Sequence, residues 1–171
     1  MRTSDAALAL ITRCNSAGAT EYLTQWNDAW QAYSLIGGHV EEGETFRQAC
    51  VREVVEELSC PEADVEVGPY PDANLRFREY SRAAQEETDY HWQVFTTRVS
   101  ENVLQALSKE PGECAWVTAD HIRLCRTTNG QPIADQVRRV LKAFDKAEFD
   151  ASASDGDHKF PTHLKQIPED P

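Results

Sequence analysis

Long hydrophobic runs are missing from this 171-residue sequence, whose most apolar N-terminal segment is AALALI at residues 6–11. A transmembrane helix needs about 20 apolar residues, and a secretory signal needs an apolar core longer than this one, which Asp5 and Arg13 flank. The sequence argues against a membrane partner. We therefore expect a cytoplasmic protein.

Cysteine patterns that bind zinc or build a disulfide framework are also missing. The five cysteines are an odd set, and none has a CxxC or cysteine–histidine spacing. Such a set predicts reduced thiols and no zinc site. The cysteines are Cys14, Cys50, Cys60, Cys114 and Cys125.

Basic residues are scarce, because 17 lysines and arginines stand against 29 aspartates and glutamates, for a formal net charge of −12. DNA, RNA polymers and anionic membranes are bound chiefly by clustered lysine and arginine, so the sequence argues against all three as partners. If the ligand is an anion, we expect a metal cation to mediate its binding.

Apolar periodicity predicts an α/β fold. Short β-rich runs predict strands, two of which form a long hairpin, and residues at helical spacing predict three helices. Ser100 is the predicted N-cap of the second helix, and Pro132 is placed in the first turn of the third. The predicted strands are 6–12, 21–26, 32–37, 73–80, 88–99 and 114–118, and the predicted helices are 45–58, 100–108 and 132–147. Strands interspersed with helices indicate a mixed sheet covered on both faces, an α/β sandwich.

Composition changes once, at about residue 150, where the chain becomes rich in proline and serine and loses its apolar periodicity. We expect one domain at residues 1–149, close to the usual domain size of about 150 residues. Residues 150–171 are predicted to form a flexible tail.

The segment GGHVEEGETFRQACVREVVEEL at residues 37–58 contains six glutamates. On a helix that turns about 100° per residue, Glu53, Glu56 and Glu57 fall within an arc of roughly 100°, and we expect the apolar residues on the opposite side. Like charges at this spacing destabilise a helix, and a divalent cation would compensate. Mg²⁺ prefers such oxygen ligands, although many acidic helix faces are merely solvated.

Two glycines, an arginine and a histidine accompany these carboxylates. Gly37 and Gly38 follow a predicted strand, and without side chains their backbone can approach a phosphate or offer a carbonyl to a metal. His39 is expected to face the same site. Arg52 lies beside the glutamates and is able to pair with one of them and hold its rotamer.

The spacing of the whole segment resembles the signature of the Nudix hydrolases, G-x5-E-x7-R-E-U-x-E-E-x-G-U, where U is aliphatic. The match runs from Gly38 through Glu44 and Arg52 to Glu57, and every charged position agrees. The final glycine of the signature is Ser59 here. A serine reaches positive φ only at a cost on the order of 1 kcal/mol, so we expect the loop after the helix to be built differently.

The resemblance implies a Nudix α/β/α sandwich over residues 5–147 and an Mg²⁺-dependent hydrolase, with Mn²⁺ as an expected substitute. Such an enzyme cleaves the pyrophosphate of a nucleoside diphosphate linked to another group. Dimers are common among relatives, so a homodimer is a further expectation. The metal ligands that the resemblance implies are Glu53, Glu56, Glu57 and the Gly37 carbonyl, with Glu44 in support. The implied substrate-binding residues are Gly37, Gly38 and His39. The implied catalytic residues are Arg52, which orients a carboxylate, and a general base, which is either Glu53 or Glu113.

Several alternatives remain open at this level. Trp26, Trp30, Tyr33, Tyr90 and Trp92 are candidates for stacking on a base, although aromatic residues in strands more often belong to the core. A non-catalytic Nudix-fold sensor would need a second module, and an isoprenoid diphosphate isomerase would need a catalytic cysteine. The favoured substrates are nucleotide sugars or ADP-ribose, then modified nucleoside triphosphates, then dinucleoside polyphosphates.

Overall fold

The computed structural model describes residues 2–81 and 83–151. Over these residues the chain forms nine strands, four α-helices and one short 3₁₀ turn at Glu62–Asp64. The strands are β1 (Arg2–Leu10), β2 (Thr12–Cys14), β3 (Thr20–Asn27), β4 (Ala32–Ser34), β5 (Gly37–His39), β6 (Val65–Val67), β7 (Ala73–Ser81), β8 (Glu86–Val99) and β9 (Cys114–Thr118). The helices are α1 (Phe46–Leu58), α2 (Glu101–Lys109), α3 (Ala119–Arg123) and α4 (Asp135–Ala151).

The strands form two sheets. The first has the order β5-β1-β8-β6, and β7 pairs with β8 on the same side as β6. Its β1–β8 pair is parallel and its other pairs are antiparallel, so the sheet is mixed. The second sheet is antiparallel and centred on β3. β2 and β4 pair with the two ends of β3 along one edge, and β9 pairs with β3 along the opposite edge.

Alternation along β1 divides the core into two layers. Leu8 and Leu10 pack in a cluster that includes Val137 and Val140 of α4. Ala7, which points to the opposite face of β1, packs in a second cluster with Ala49, Cys50 and Val54 of α1. Because successive side chains of a strand point to opposite faces, one strand serves both layers. The prediction of an α/β/α sandwich with a mixed sheet is confirmed.

Helix α1 begins and ends with specific hydrogen bonds. Thr45 and Gln48 form a capping box, in which each side chain bonds the backbone N–H of the other residue. At the other end Ser59 has a φ of +48°, its N–H donates to the Glu56 carbonyl, and the N–H of Cys60 donates to the Val55 carbonyl. This is a Schellman motif. The expectation of a different loop is therefore wrong, because Ser59 takes the left-handed conformation that the family's glycine would take.

Two predicted elements have different bounds. The predicted strand at 32–37 is interrupted at Leu35 and Ile36, where the chain passes from the second sheet to the first, so the glycines lie within β5 rather than after a strand. The last helix begins at Asp135, not at 132. The Tyr33 N–H donates to the Pro132 carbonyl, and the Ala134 N–H donates to the Tyr33 carbonyl, which keeps Pro132 in an extended segment.

Within the described residues, no helix is both long enough and apolar enough to cross a membrane. Most of the predicted tail, residues 152–171, lies outside the described residues, while Asp150 and Ala151 belong to α4.

Replacing Ser59 by glycine should stabilise the protein. A serine in the left-handed conformation costs roughly 1 kcal/mol more than a glycine there. The greater conformational freedom of glycine in the unfolded chain offsets part of this gain in stability. We expect Ser59→Gly to raise the free energy of unfolding by about 0.5–1 kcal/mol and Tm by about 1–4 °C. Thermal unfolding measures this, with Ser59→Ala as the control that keeps the strained Cβ. A Ser59→Gly protein that melts below the wild type would contradict the account.

Candidate active site

Arg52 connects three parts of the candidate site. Its Nε donates to Oε1 of Glu44 at 2.8 Å and its Nη2 donates to Oε2 of the same carboxylate at 3.1 Å. Its Nη1 donates to Oε1 of Glu53 at 2.8 Å, with a longer contact of 3.5 Å to Oε2 of Glu56. Nη2 also donates to the backbone carbonyl of His39 at 3.0 Å. One guanidinium thus holds α1, the loop before it and the end of β5 together.

Glu44 works mainly through this arginine. Both of its carboxylate oxygens accept from Arg52, and Oε2 also accepts from the Glu41 N–H at 3.0 Å. The hydrogen bond from Arg52, followed by the one from Glu41, lowers the pKa of Glu44. The hydrogen bond with Glu44 in turn raises the pKa of Arg52. Glu44 therefore stays ionised at neutral pH and keeps the guanidinium in place beneath Glu53.

The two glycines of β5 make room for different neighbours. A Cβ atom at Gly38 would lie 2.2 Å from Oε1 of Glu53, so the carboxylate occupies the space that a side chain would need. A Cβ at Gly37 would lie 2.2 Å from the backbone oxygen of Ala7, and its φ of +148° favours glycine. Gly38 thus leaves room for the Glu53 carboxylate, whereas Gly37 leaves room for the neighbouring strand β1.

The three glutamates of α1 do not share one environment. The side chain of Glu53 is only 14% exposed, because it lies against Gly38, whereas that of Glu56 is 60% exposed. The expectation that the carboxylates lie opposite the apolar residues is wrong for Glu53, which lies at the interface between helix and sheet. Among the residues that the structure describes, no three His, Cys, Asp or Glu side chains converge closely enough to hold a metal ion.

The donor chemistry nevertheless suits a hard cation. Glu53, Glu56 and Glu57 offer only carboxylate oxygens, the ligands that Mg²⁺ prefers. Glu56 and Glu57 are exposed at the end of α1, so their side chains have space to turn toward Glu53. In this structure the side chains of Glu53 and Glu56 are organised around Arg52.

Glu113 lies beside the same end of α1. Its backbone carbonyl accepts from the Trp26 N–H at 2.8 Å, and the Gln25 side chain donates to the Glu57 backbone carbonyl at 3.5 Å. Burial, then the charges of Glu57 and Glu113, raise the pKa of Cys114 to about 11. Because Gln25 also pairs with Cys114, the residue after Glu113, the tertiary structure brings the loop of Glu113 and the end of α1 to the same part of β3.

The cysteines at the site are unreactive thiols. Cys50 is fully buried in the α1 layer of the core, and burial is the largest cause that raises its pKa to about 11. Cys114 is likewise protonated at neutral pH. Since the thiolate is the nucleophile, neither residue suits the catalytic cysteine that an isoprenoid diphosphate isomerase would need.

Four of the five aromatic candidates lie on the side of the sheets away from α1. Tyr33 and Trp92 pack against the core cluster that contains α4. Trp26 contacts Tyr33 edge to face at 5.3 Å, and Tyr90 contacts Trp92 at 6.1 Å. Trp30 is half exposed. The other four rings therefore do not line the acidic side of α1.

Sequence reasoning missed one of the aromatic residues on the α1 side, Trp116. It packs against the α1 cluster together with Cys114, and the guanidinium carbon of Arg13 lies 4.2 Å from the centre of its ring. Alternation along the predicted strand CAWVT would have placed Cys114 and Trp116 on one face, but not which face. His91 contacts Phe46 of α1 at 4.8 Å, and burial lowers its pKa.

This arrangement defines a class of protein: an α/β/α sandwich in which an arginine organises an acidic helix over a glycine strand. The family model described as the NUDIX domain matches residues 3–140. The chain therefore belongs to the Nudix family, which supports the prediction of a pyrophosphohydrolase.

Solved structures show the same fold. The C. elegans Ap4A hydrolase is 18% identical with a TM-score of 0.52, over 89% of this chain and 99% of that chain. A mutT/nudix family protein from Listeria innocua is 16% identical with a TM-score of 0.55, over 90% of this chain and 99% of that chain. The Shewanella oneidensis NrtR, complexed with a 27mer DNA, is 14% identical with a TM-score of 0.56, over 85% of this chain and 63% of that chain. A search of curated proteins found no match.

Alanine at the two glycines should have opposite consequences. In Gly38→Ala the new Cβ meets the end of a flexible side chain, so Glu53 moves and the fold survives. In Gly37→Ala it meets the backbone of β1, which cannot yield without disrupting the sheet. We expect a large fall in Tm for Gly37→Ala. For Gly38→Ala we expect a change of only a few degrees and at least a tenfold loss of turnover.

Melting curves and steady-state kinetics on both variants check this contrast. Equal destabilisation by the two substitutions, or full turnover in Gly38→Ala, would show that the space left by Gly38 is not needed to position the Glu53 carboxylate.

Proposed function

We propose that this protein is an Mg²⁺-dependent Nudix hydrolase that cleaves a pyrophosphate bond in a nucleoside diphosphate linked to another group. The observation that carries the proposal is the Arg52 network, which holds Glu53 between α1 and Gly38 while Glu56 and Glu57 stay exposed beside it. A single arginine saturated by carboxylates leaves little positive charge for a pyrophosphate. A divalent cation supplies that charge.

The proposed metal ligands are Glu53, Glu56 and Glu57, with the Gly37 carbonyl as a further ligand and Mn²⁺ as a substitute. Bound there, the ion would stabilise developing negative charge and lower the pKa of the attacking water. The protein's own residues set the geometry: Arg52 fixes the rotamer of Glu53, Glu44 fixes Arg52, and the backbone of Gly38 and His39 forms the wall that faces the substrate.

Two carboxylates are candidates for the general base. Glu53 lies at the centre of the site, but its Oε1 accepts from Arg52 and lies against Gly38. Glu113 is exposed, and its neighbour Cys114 pairs with Gln25, whose side chain contacts the end of α1. The second arrangement separates metal binding from proton transfer, so we favour Glu113 as the base and Glu53 as a ligand.

The substrate class is supported only at the level of pyrophosphate compounds. Nucleotide sugars, ADP-ribose and modified nucleoside triphosphates remain candidates, and the name of the Ap4A hydrolase adds weight to dinucleoside polyphosphates. The NrtR neighbour was solved with DNA, which raises the alternative of a regulatory nucleotide sensor. The chain carries a net charge of −12, which disfavours DNA as a partner and so favours the enzyme.

Glu57→Gln should remove most of the metal-dependent turnover while leaving the fold intact, because the amide keeps the shape and loses the charge. We expect a decrease of about a hundredfold or more, measured as phosphate release from a panel of nucleoside diphosphate derivatives with Mg²⁺ or Mn²⁺. Glu66→Gln is the matched control, since its exposed carboxylate lies on β6 at the other edge of the sheet. Undiminished turnover in Glu57→Gln would refute its assignment as a ligand.

Millimolar Mg²⁺ should raise Tm, because the ion binds the folded protein and relieves the repulsion between carboxylates. The shift should shrink in Glu57→Gln and persist in Glu66→Gln. Differential scanning fluorimetry across an Mg²⁺ titration measures it. A melting curve that does not change would argue against metal binding at this helix.

A further inference from the structure

The link between β4 and β5 carries the chain from one sheet to the other, immediately before the glycines of the site. Leu35 and Ile36 form this link, and both are buried. The Ile36 carbonyl accepts from the Ala9 N–H of β1 at 2.9 Å. The Leu35 N–H donates in the other direction, to Oε1 of Gln136 at 3.0 Å. The link is therefore held from both sides.

Gln136 belongs to the first turn of α4, on the side of the sheet away from α1. It is a buried amide, 9% exposed, and its partner Leu35 is 101 positions away in sequence. The residues before it support the same contact, because Pro132 and Ala134 form backbone hydrogen bonds with Tyr33 in β4. Residues of α4 and of the segment before it thus form hydrogen bonds with the chain just before β5, the strand beside the candidate active site.

Little slack separates this link from the carboxylate that it supports. Gly38 lies three residues after Leu35, and the space beside its Cα is filled by the Glu53 carboxylate. The next residue, His39, gives its backbone carbonyl to Arg52. A shift of β5 would therefore move both the wall behind Glu53 and one acceptor of Arg52.

We propose that Gln136 is a positioning residue: its side-chain carbonyl holds the backbone of Leu35 and so sets β5 against Glu53 and Arg52. The inference rests on the proposed function where it concerns turnover, and on the geometry alone where it concerns the position of β5. It assigns to the first turn of α4, on the other side of the sheet from α1, a part in arranging Glu53 and Arg52.

Three substitutions at one position separate the hydrogen bond from side-chain volume. Gln136→Met keeps the length and lacks a strong acceptor, and Gln136→Asn draws the acceptor back by one methylene. Gln136→Glu keeps an acceptor, and a carboxylate is tolerated in the first turn of a helix. We expect kcat to fall roughly tenfold to a hundredfold in the first two variants with KM within about twofold, and to recover in Gln136→Glu.

Thr88→Val is the control for loss of a buried hydrogen bond. Thr88 is fully buried, and its hydroxyl donates to the Glu86 carbonyl at 3.3 Å in the β7–β8 hairpin, away from the site. This variant should melt several degrees lower, as Gln136→Met does, yet retain wild-type kcat. A merely structural role for Gln136 predicts that both substitutions leave kcat unchanged, and that result would overturn the proposal.

A second readout does not require activity. In ¹H–¹⁵N NMR spectra, the Gly38 amide and the Arg52 Nε–H resonances should shift in Gln136→Met or Gln136→Asn, and stay in place in Gln136→Glu and Thr88→Val. If the wild type hydrolyses no pyrophosphate compound, the proposed function fails, and these resonances still decide the positioning role. Unshifted resonances in both Gln136→Met and Gln136→Asn would overturn it.

Discussion

The charge balance around Arg52 is the interaction on which the rest of the site depends. In a chain with a net charge of −12, the Arg52 guanidinium donates hydrogen bonds to three carboxylates and a backbone carbonyl. Its planar fork binds Glu44 through two nitrogens, a geometry that lysine cannot reproduce. The consequence is a fixed Glu53 beside two exposed glutamates, which is a local excess of negative charge that a divalent cation would relieve.

The glycines of β5 show how the backbone makes this concentration of charge compatible with a packed sheet. Gly38 leaves the space that the Glu53 carboxylate fills, and Gly37 leaves the space that β1 fills. A single pair of adjacent residues therefore separates two requirements, one for the site and one for the fold. Ser59 shows the opposite case, since it adopts a glycine-like conformation at the helix end and retains its side chain.

The two faces of the sandwich have different tasks. The α1 face carries the carboxylates, the unreactive thiols and Trp116, whereas the α4 face carries most of the aromatic residues that seemed suited to stacking. Substrate recognition must therefore use other residues than those rings if it takes place beside α1. The Gln136–Leu35 hydrogen bond joins the faces, because the strand that it holds passes beneath Glu53.

Local interactions were predictable because covalent spacing fixes them. The helix of residues 45–58, the adjacency of Arg52 and Glu53, and the membership in a family defined by charged positions all follow from residues within one short segment. The strand alternation that builds a two-layered core was readable for the same reason. Predictions that needed the far end of a contact were less successful: the start of α4 and the split of the 32–37 strand.

The sequence by itself determined that Arg52 and the three glutamates proposed as metal ligands share one helix, since an α-helix places residues by their number alone. Only the tertiary structure decided how those residues are supported. The contact of Glu53 with Gly38, the hydrogen bond from Gln25 to the Glu57 carbonyl and the hydrogen bond from Leu35 to Gln136 join residues far apart in the chain. Such contacts depend on the pairing and packing of whole strands and helices, and no local pattern specifies them.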